Sequence, residues 1–140
     1  RFHRVNGSVE RGGSALAAVT GGNFTITNDM EMVPAVRNDY RMEGIDFGLS
    51  GASGELTLRF RDHALRTEAL ARTSADMRYT LTLAATKSVE FRFPRSFLAA
   101  KGSPLEGPRG MSQSVALVAA YDGTLGCAVQ VTLKNQTASY

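Results

Sequence analysis

The sequence predicts a mainly β protein, a β-sandwich or half-barrel of seven to eight strands with one α-helix at its side. Three observations carry this prediction. Apolar and polar residues alternate in several short segments, glycine-rich turns separate these segments, and only one segment has helical spacing. The 140 residues are 43% hydrophobic and 21% charged, which is typical of a globular chain. We therefore expect residues 1–140 to form a single domain.

The first half of the chain contains predicted strands and one long loop. Residues 2–19 predict a hairpin that turns at Gly12-Gly13, and Phe24 begins a further strand that runs to Met32. Residues 34–54 have no clear periodicity and predict a long loop, a feature that is usually functional or disordered in a small domain.

The clearest strand covers residues 56–61, where apolar and polar residues alternate without interruption. A flanking α-helix is predicted after it, at about residues 62–74, with Asp62 as its N-cap and Leu65 and Ala69 on its apolar side. Glu68 and Arg72 are four residues apart, a spacing that predicts an exposed ion pair.

The second half of the chain predicts strands and a second loop. Residues 79–83 alternate, and so do residues 89–93, which Pro94 is expected to end. Glycines and prolines mark a loop at 101–112. Residues 115–121 are apolar at almost every position and predict a strand that is buried on both faces. A closing strand is predicted at 127–133.

The chemistry of the chain does not indicate an active site. Cys127 is the only cysteine, so neither an intrachain disulfide nor a cysteine-based zinc site is possible, and its alternating surroundings predict a small core residue. His3 and His63 have no carboxylate at metal-ligand spacing. The glycines of residues 48–54 lack the lysine and the following helix of a phosphate-binding loop. We therefore expect no catalysis, no cofactor and no bound metal.

Charge is distributed unevenly. The chain has a net charge of +3, too small an excess to indicate a nucleic-acid-binding protein, and no apolar run approaches the roughly 20 residues of a membrane-spanning helix. Residues 29–46 contain five acidic and two basic residues, a net charge of −3, whereas the remainder has 14 basic and 8 acidic residues, a net charge of +6. The charged residues of this segment are Asp29, Glu31, Arg37, Asp39, Arg41, Glu43 and Asp46.

Two interpretations of this acidic segment stay open at this point. It is either a solvated loop on a mildly basic body or a contact that reaches a basic surface on a neighbouring copy. A contact of the second kind is heterologous, and such contacts build rings and open filaments.

Three segments carry a resemblance to a known family. Residues 22–31 (GNFTITNDME), the stretch from Gly44-Ile45 to residues 54–62 (GELTLRFRD), and residues 89–95 (VEFRFPR) resemble strands of the tail tube proteins of long-tailed phages. The similarity extends over roughly residues 5–133 and consists of the pattern and order of these segments. Some relatives have longer chains with two related domains, so the resemblance leaves open whether this sequence is one segment of a longer chain.

The resemblance implies a structural, non-enzymatic subunit that forms hexameric rings, and these stack into the conduit through which the genome enters the host. It further implies tape-measure, tail terminator and distal tail proteins as partners, assembly in the host cytoplasm, and a final place in the virion tail without membrane contact. DNA would pass only transiently through the lumen, without sequence-specific binding. The loop at 34–54 would bridge to a neighbouring subunit or ring, and strand faces bearing Thr57, Thr80 and Thr82 would line the bore.

A second class of function is compatible with the same strands, namely a monomeric β-sandwich module of a virion that recognises a receptor or a carbohydrate. The absence of tryptophan and the low number of tyrosines disfavour sugar binding, because sugar sites favour exposed aromatic platforms. The two classes differ in the loop at 34–54, which a tube subunit uses for assembly and a recognition module for its ligand.

Overall fold

The computed structural model describes residues 6–16, 19–34, 36, 38–39, 41–61, 63–100 and 111–136. This part of the chain contains ten strands and one helix. In chain order the elements are β1 (Gly7–Arg11), β2 (Ser14–Ala15), β3 (Val19–Thr27), β4 (Glu31–Val33), β5 (Gly44–Asp46), β6 (Gly51–Arg59), α1 (Ala64–Leu70), β7 (Ala75–Ala84), β8 (Lys87–Ala100), β9 (Ser112–Ala120) and β10 (Gln130–Lys134).

Eight strands form one antiparallel sheet in the order β2-β1-β7-β8-β9-β6-β3, and β10 is its eighth strand. Strand β8 is the central strand of the sheet, and it is long enough to pair with two strands along one of its edges. Its first half pairs with β10 and its second half with β9, while β7 follows its other edge. The remaining strands, β4 and β5, pair only with each other.

Pro94 does not end its strand, contrary to the sequence prediction. Strand β8 passes through Pro94 with a bulge, because Met77 pairs with Phe93 whereas Ala75 pairs with Ser96. The extra residue on β8 lets Phe93 and Ser96 both point into the core although they are three positions apart. A bulge is one of the few places in a sheet that accept proline, which cannot donate a hydrogen bond to the ladder.

The main sheet is strongly curved. In a flat sheet, β3 and β7 would lie roughly 19 Å apart, since four strand spacings separate them. The ring of Phe24 on β3 nevertheless packs against Phe91 at 5.0 Å, Phe93 at 5.5 Å and Tyr79 at 5.8 Å between centroids. The fold class is therefore confirmed as mainly β, with the sheet forming an open half-barrel.

The core lies inside this curve. Its buried members are Ala52, Leu58, Ala69, Met77, Phe93, Leu98, Val115 and Leu117. The described strands do not close into a barrel. The open seam between the β1–β2 hairpin and β3 is an apolar cleft of about 650 Å³, lined in part by Val9, Leu16 and Phe24.

The helix flanks the sheet as predicted but is shorter than residues 62–74. It packs on β8 with Ala69 buried, whereas Leu70 is exposed. The predicted N-cap, Asp62, lies outside the described residues, and His63 takes the cap position without a side-chain cap bond. The predicted Glu68–Arg72 ion pair is also wrong, because Glu68 instead binds a residue of β1.

That residue is Arg11, which is buried inside the half-barrel and ties three elements together. Its Nε donates to Glu68 Oε1 at 2.7 Å, its Nη1 to Ser96 Oγ at 2.9 Å and its Nη2 to the Thr73 carbonyl at 3.4 Å. Ser96 Oγ in turn donates a hydrogen bond to the Ala75 carbonyl at 2.7 Å. The Arg11 guanidinium, whose charge is balanced by Glu68, thus joins strand β1, the helix and strand β8.

The last strands correct two further predictions. Strand β9 alternates, with Val115 and Leu117 buried and Val118 exposed, so it is buried on one face only. Cys127 is half-buried in an isolated bridge with Asp122 and precedes the closing strand. Backbone N–H groups of Leu125 and Thr124 donate to Asp122 and lower its pKa. Of the loop predicted at 101–112, residues 101–110 lie outside the described part of the chain.

No helix among the described residues combines the length and the apolar character needed to cross a membrane.

Candidate functional site

The segment between β3 and β6 projects from the half-barrel as a hairpin, which we call the arm and define as residues 28–50. The β3–β6 ladder runs from Val19 and Leu58 to Thr27 and Gly51, and beyond it β4 pairs with β5. The predicted loop at 34–54 is therefore too long. Residues 44–46 form β5, and residues 51–54 belong to β6.

A close backbone contact marks the neck of the arm, where it leaves the β3–β6 ladder. Asp29 has a left-handed backbone with φ of 37°, which interrupts the strand between β3 and β4. On the returning segment, Gly48 lies directly against the Asp29 carbonyl, and a Cβ at that position would overlap the oxygen. Glycine is therefore required at position 48 for the two segments to approach at the neck.

The arm exposes large apolar side chains. Phe47 is 84% exposed and Leu49 is 89% exposed. The other exposed apolar residues of the arm are Met30, Met32, Val36, Met42 and Ile45. A group of this size on one short segment is typical of a surface that another molecule covers, since single exposed apolar residues are common but clusters are not.

The strand register of the arm brings two of the predicted acidic residues together. Glu31 on β4 is the direct cross-strand partner of Asp46 on β5. Both side chains are exposed, and neither forms an ion pair with a residue that the structure describes. Like charges placed directly opposite one another destabilise a strand pair. The arm therefore holds a repulsion that a cationic partner would relieve.

The other described charged residues of the segment lie at the neck and in the connection between β4 and β5. Asp29 lies at the neck, and Asp39, Arg41 and Glu43 lie in the connection between β4 and β5, where Asp39 Oδ1 accepts a hydrogen bond from the Arg41 backbone N–H at 3.3 Å. Arg37 lies outside the described residues.

A second polar surface, which the sequence did not single out, covers the outer face of β7 and β8. Arg78 and Arg92 are direct cross-strand partners, and the Asp76 carboxylate lies beside both. Its Oδ2 is 3.0 Å from Arg78 Nη2 and 3.1 Å from Arg92 Nε. The hydrogen bond to Asp76 raises the pKa of Arg92, and the nearby carboxylates of Glu90 and Asp122 act in the same direction. Alternation alone places arginines on this face but does not reveal their shared counter-ion.

The residues weighed for catalysis or metal binding do not converge. The exposed His63 ring packs edge-on against Phe60 with centroids 5.1 Å apart, and His3 lies outside the described residues. Within the described ranges, no three His, Cys, Asp or Glu side chains are grouped closely enough to hold a metal ion. Of the glycine-rich residues 48–54, the last four are part of β6.

Comparison with known proteins gives a consistent result. The sequence profile of one family, described as phage tail tube protein, matches residues 1–119. No curated protein matches the chain.

Solved structures with a similar fold come from an extracellular contractile injection system, an anti-feeding prophage cap and a gene transfer agent virion. The sheath/tube terminator of an extracellular contractile injection system, PVC, has a TM-score of 0.69 at 14% identity, over 94% of this chain and 96% of that chain. The tube-terminating cap of the anti-feeding prophage has a TM-score of 0.67 at 14% identity, over 95% of this chain and 91% of that chain. A chain of the PVC sheath-tube complex has the same TM-score of 0.67 at 14% identity, over 95% of this chain and 92% of that chain. A chain from the virion of a native gene transfer agent has a TM-score of 0.57 at 11% identity, over 94% and 99%.

Proposed function

Because the chain belongs to the phage tail tube protein family, we propose that its copies form hexameric rings that stack into a tail tube and that the genome passes through this tube into the host. The observation that carries the proposal is the arm, whose apolar residues are not covered by the part of the chain that the structure describes. A subunit that is completed by its neighbours accounts for such an arm.

Neighbours within a ring would join at the edges of the curved sheet. Strand β10 is such an edge, since β8 is its only partner among the described strands. Val131 and Leu133 lie exposed on it at 55% and 59%. An unpaired edge with apolar side chains invites a further strand, and pairing between subunits removes this aggregation hazard.

The outer face of β1, β7, β10 and residues 88–92 of β8 is the surface that we propose lines the bore. Its paired strand positions are polar, which suits contact with water and with passing DNA: Ser8, Glu10, Arg78, Thr80, Thr82, Ser88, Glu90, Arg92, Gln130, Thr132 and Lys134. With Asp76 this face has three acids and three bases, so it carries no net charge despite the basic chain. Thr57 lies on β6, which the curvature turns away from this surface.

The proposed function also concerns the activity of the chain and the tail proteins that it contacts. We propose that the chain acts without enzymatic activity as one tube domain, and that it meets tape-measure, tail terminator and distal tail proteins during assembly in the host cytoplasm. The resemblance of the fold to two tube-terminating proteins supports a tube whose end partners share its architecture.

Assembly of the wild-type chain and of a variant without the arm tests the proposal. Thr27 and Gly51 are cross-strand partners, so replacing residues 28–50 by Asn-Gly closes β3 and β6 with a two-residue turn. Negative-stain electron microscopy and light scattering should show hollow tubes or stacked rings for the wild type. The shortened variant should stay a folded monomer with a β-type circular dichroism spectrum and cooperative thermal unfolding.

A wild-type chain that remains monomeric at every concentration and salt level contradicts the proposal and favours a monomeric recognition module. Normal tubes from the shortened variant would show that the arm is not needed for assembly.

A further inference from the structure

The arm and a group of arginines lie at opposite ends of β6. The arm ends directly before Gly51, the first residue of this strand, and Arg59 is its last residue. Nine residues of strand place these ends about 26 Å apart. Arg59 and Arg61 lie at the far end, two positions apart in sequence. Arg66 lies in the first half of α1, the helix that follows this end of the strand.

This arginine end is cationic and accessible. Arg59, Arg61 and Arg66 are all exposed, and residues 59–66 contain one acid, Asp62, against these three bases. Arg61 and Arg66 form no ion pair with any residue in the described part of the chain. By contrast, Arg78 and Arg92 share the Asp76 carboxylate, and Arg11 pairs with Glu68. At the end opposite the arm, two cations thus have no counter-ion among the residues that the structure describes.

The anionic counterpart is on the arm. Glu31 and Asp46 repel each other across the β4–β5 pair, and each is equally without a cation within the described residues. Two carboxylates at one end of the molecule therefore match two guanidinium groups at the other end. A surface that fits the opposite end of an identical molecule makes a heterologous contact, which repeats without closing on itself.

The direction of this contact follows from the sheet. In a barrel built from sheets of several subunits, ring neighbours meet at strand edges, whereas strand ends face along the axis with the usual tilt. The arm and the arginine end are both placed at ends of β6.

We propose that Glu31 and Asp46 of one subunit bind Arg61 and Arg66 of a subunit in the next ring, so that this contact sets the stacking of rings. The inference rests on the proposed tube function and adds the surface that receives the arm. The apolar side chains of the arm supply contact area, and the charge pairs supply its register and its direction, because a reversed subunit would bring like charges together.

Charge reversal in both directions tests this contact. Glu31→Lys with Asp46→Lys and, separately, Arg61→Glu with Arg66→Glu should each reduce the tube yield at least tenfold while single rings persist. Combining all four substitutions in one chain restores opposite charges across the contact, and it should return the yield to within about threefold of wild type. The readouts are sedimentation of assembled tubes and negative-stain microscopy.

Two controls separate folding from assembly. All variants should keep the wild-type thermal midpoint by circular dichroism, because the altered side chains are exposed. Lys87→Glu reverses an exposed charge that belongs to neither surface, and it should leave the tube yield unchanged.

The outcomes distinguish this inference from the function on which it rests. Wild-type tubes together with unaffected tubes from either reversed pair would overturn the inference and leave the tube function standing. Reversed-pair variants that form no rings would place the contact within a ring and would also overturn it, as would failure of the fourfold variant to recover. A wild type that forms neither rings nor tubes would overturn both.

Discussion

The half-barrel and the arm are made of the same kind of antiparallel strand pair, yet they differ in what completes them. In the half-barrel, curvature brings Phe24 onto the rings of Phe91 and Phe93, and the buried Arg11 has Glu68 as its counter-ion. In the arm, apolar side chains face solvent and two carboxylates face each other. The contacts that stabilise the subunit therefore lie in the body, whereas the arm has the exposed surface that our proposal assigns to contacts between subunits.

The largest effect on folding should come from the centre of the core. Phe93 is 2% exposed, so Phe93→Ala leaves a cavity and should lower the free energy of unfolding by about 3–5 kcal/mol. Urea denaturation measures this loss. The matched change in the arm, Phe47→Ala, should alter it by less than about 0.5 kcal/mol. Similar losses from both substitutions would contradict the division between body and arm.

A smaller loss is expected when Arg11 loses its counter-ion. Glu68→Ala leaves a buried guanidinium with only neutral partners, which should cost about 2–3 kcal/mol because Glu68 itself is partly exposed. The comparison is Glu31→Ala in the arm, which removes a repulsion and should leave the subunit equally or slightly more stable. Thermal and urea unfolding of both variants decide this, and an unchanged stability of Glu68→Ala would show that the Arg11 network is dispensable.

Asp76→Asn should have a still smaller effect on folding, below about 1 kcal/mol, because the ion pairs are partly exposed. Its consequence is expected in the assembled tube. Two arginines on each subunit would lose their shared carboxylate. The variant tubes should therefore retain more short duplex DNA than wild-type tubes, and this difference should be larger at low salt than at high salt. Co-sedimentation of DNA with tubes measures this. Glu55→Gln, on the outer face of β6, removes the same charge elsewhere, and equal retention by both variants would contradict the assignment of the bore.

The smallest effect on folding, combined with a complete effect on assembly, is expected in the arm. Phe47→Ser together with Leu49→Ser changes two exposed residues and should leave unfolding unchanged within about 0.5 kcal/mol. Sedimentation velocity should nevertheless show no tubes. Leu125→Ser, at an exposed turn position outside the arm, should assemble normally, and tubes from the arm variant would show that its apolar residues are not contacts.

Local alternation predicted most of the body from the sequence. Strands β6, β7 and the first half of β8 follow their apolar periodicity, since one face of each is buried. The same rule failed at Pro94, because a bulge depends on the neighbouring strand and not on local pattern. It also missed the Arg11–Glu68 pair, whose members are 57 residues apart in sequence and meet only through the curvature of the sheet.

The arm was predicted in part. Its acidic composition is visible in the sequence, and so is the break at Pro34. The short β4–β5 pair was not predicted, because three-residue strands carry too little periodicity to be seen. The exposure of Phe47 and Leu49 was equally invisible, since apolar residues in a sequence indicate burial without showing whether their own chain provides it.

Amide hydrogen exchange of the wild-type chain, measured on separated subunits and on assembled tubes, tests the central claim most directly. We predict that amides of β6 and β8 are protected in both forms, whereas those of β4 and β5 exchange rapidly in subunits and become protected in tubes. Equal protection of the arm in the two forms, or rapid exchange of the arm within tubes, would contradict the claim that neighbouring subunits complete it.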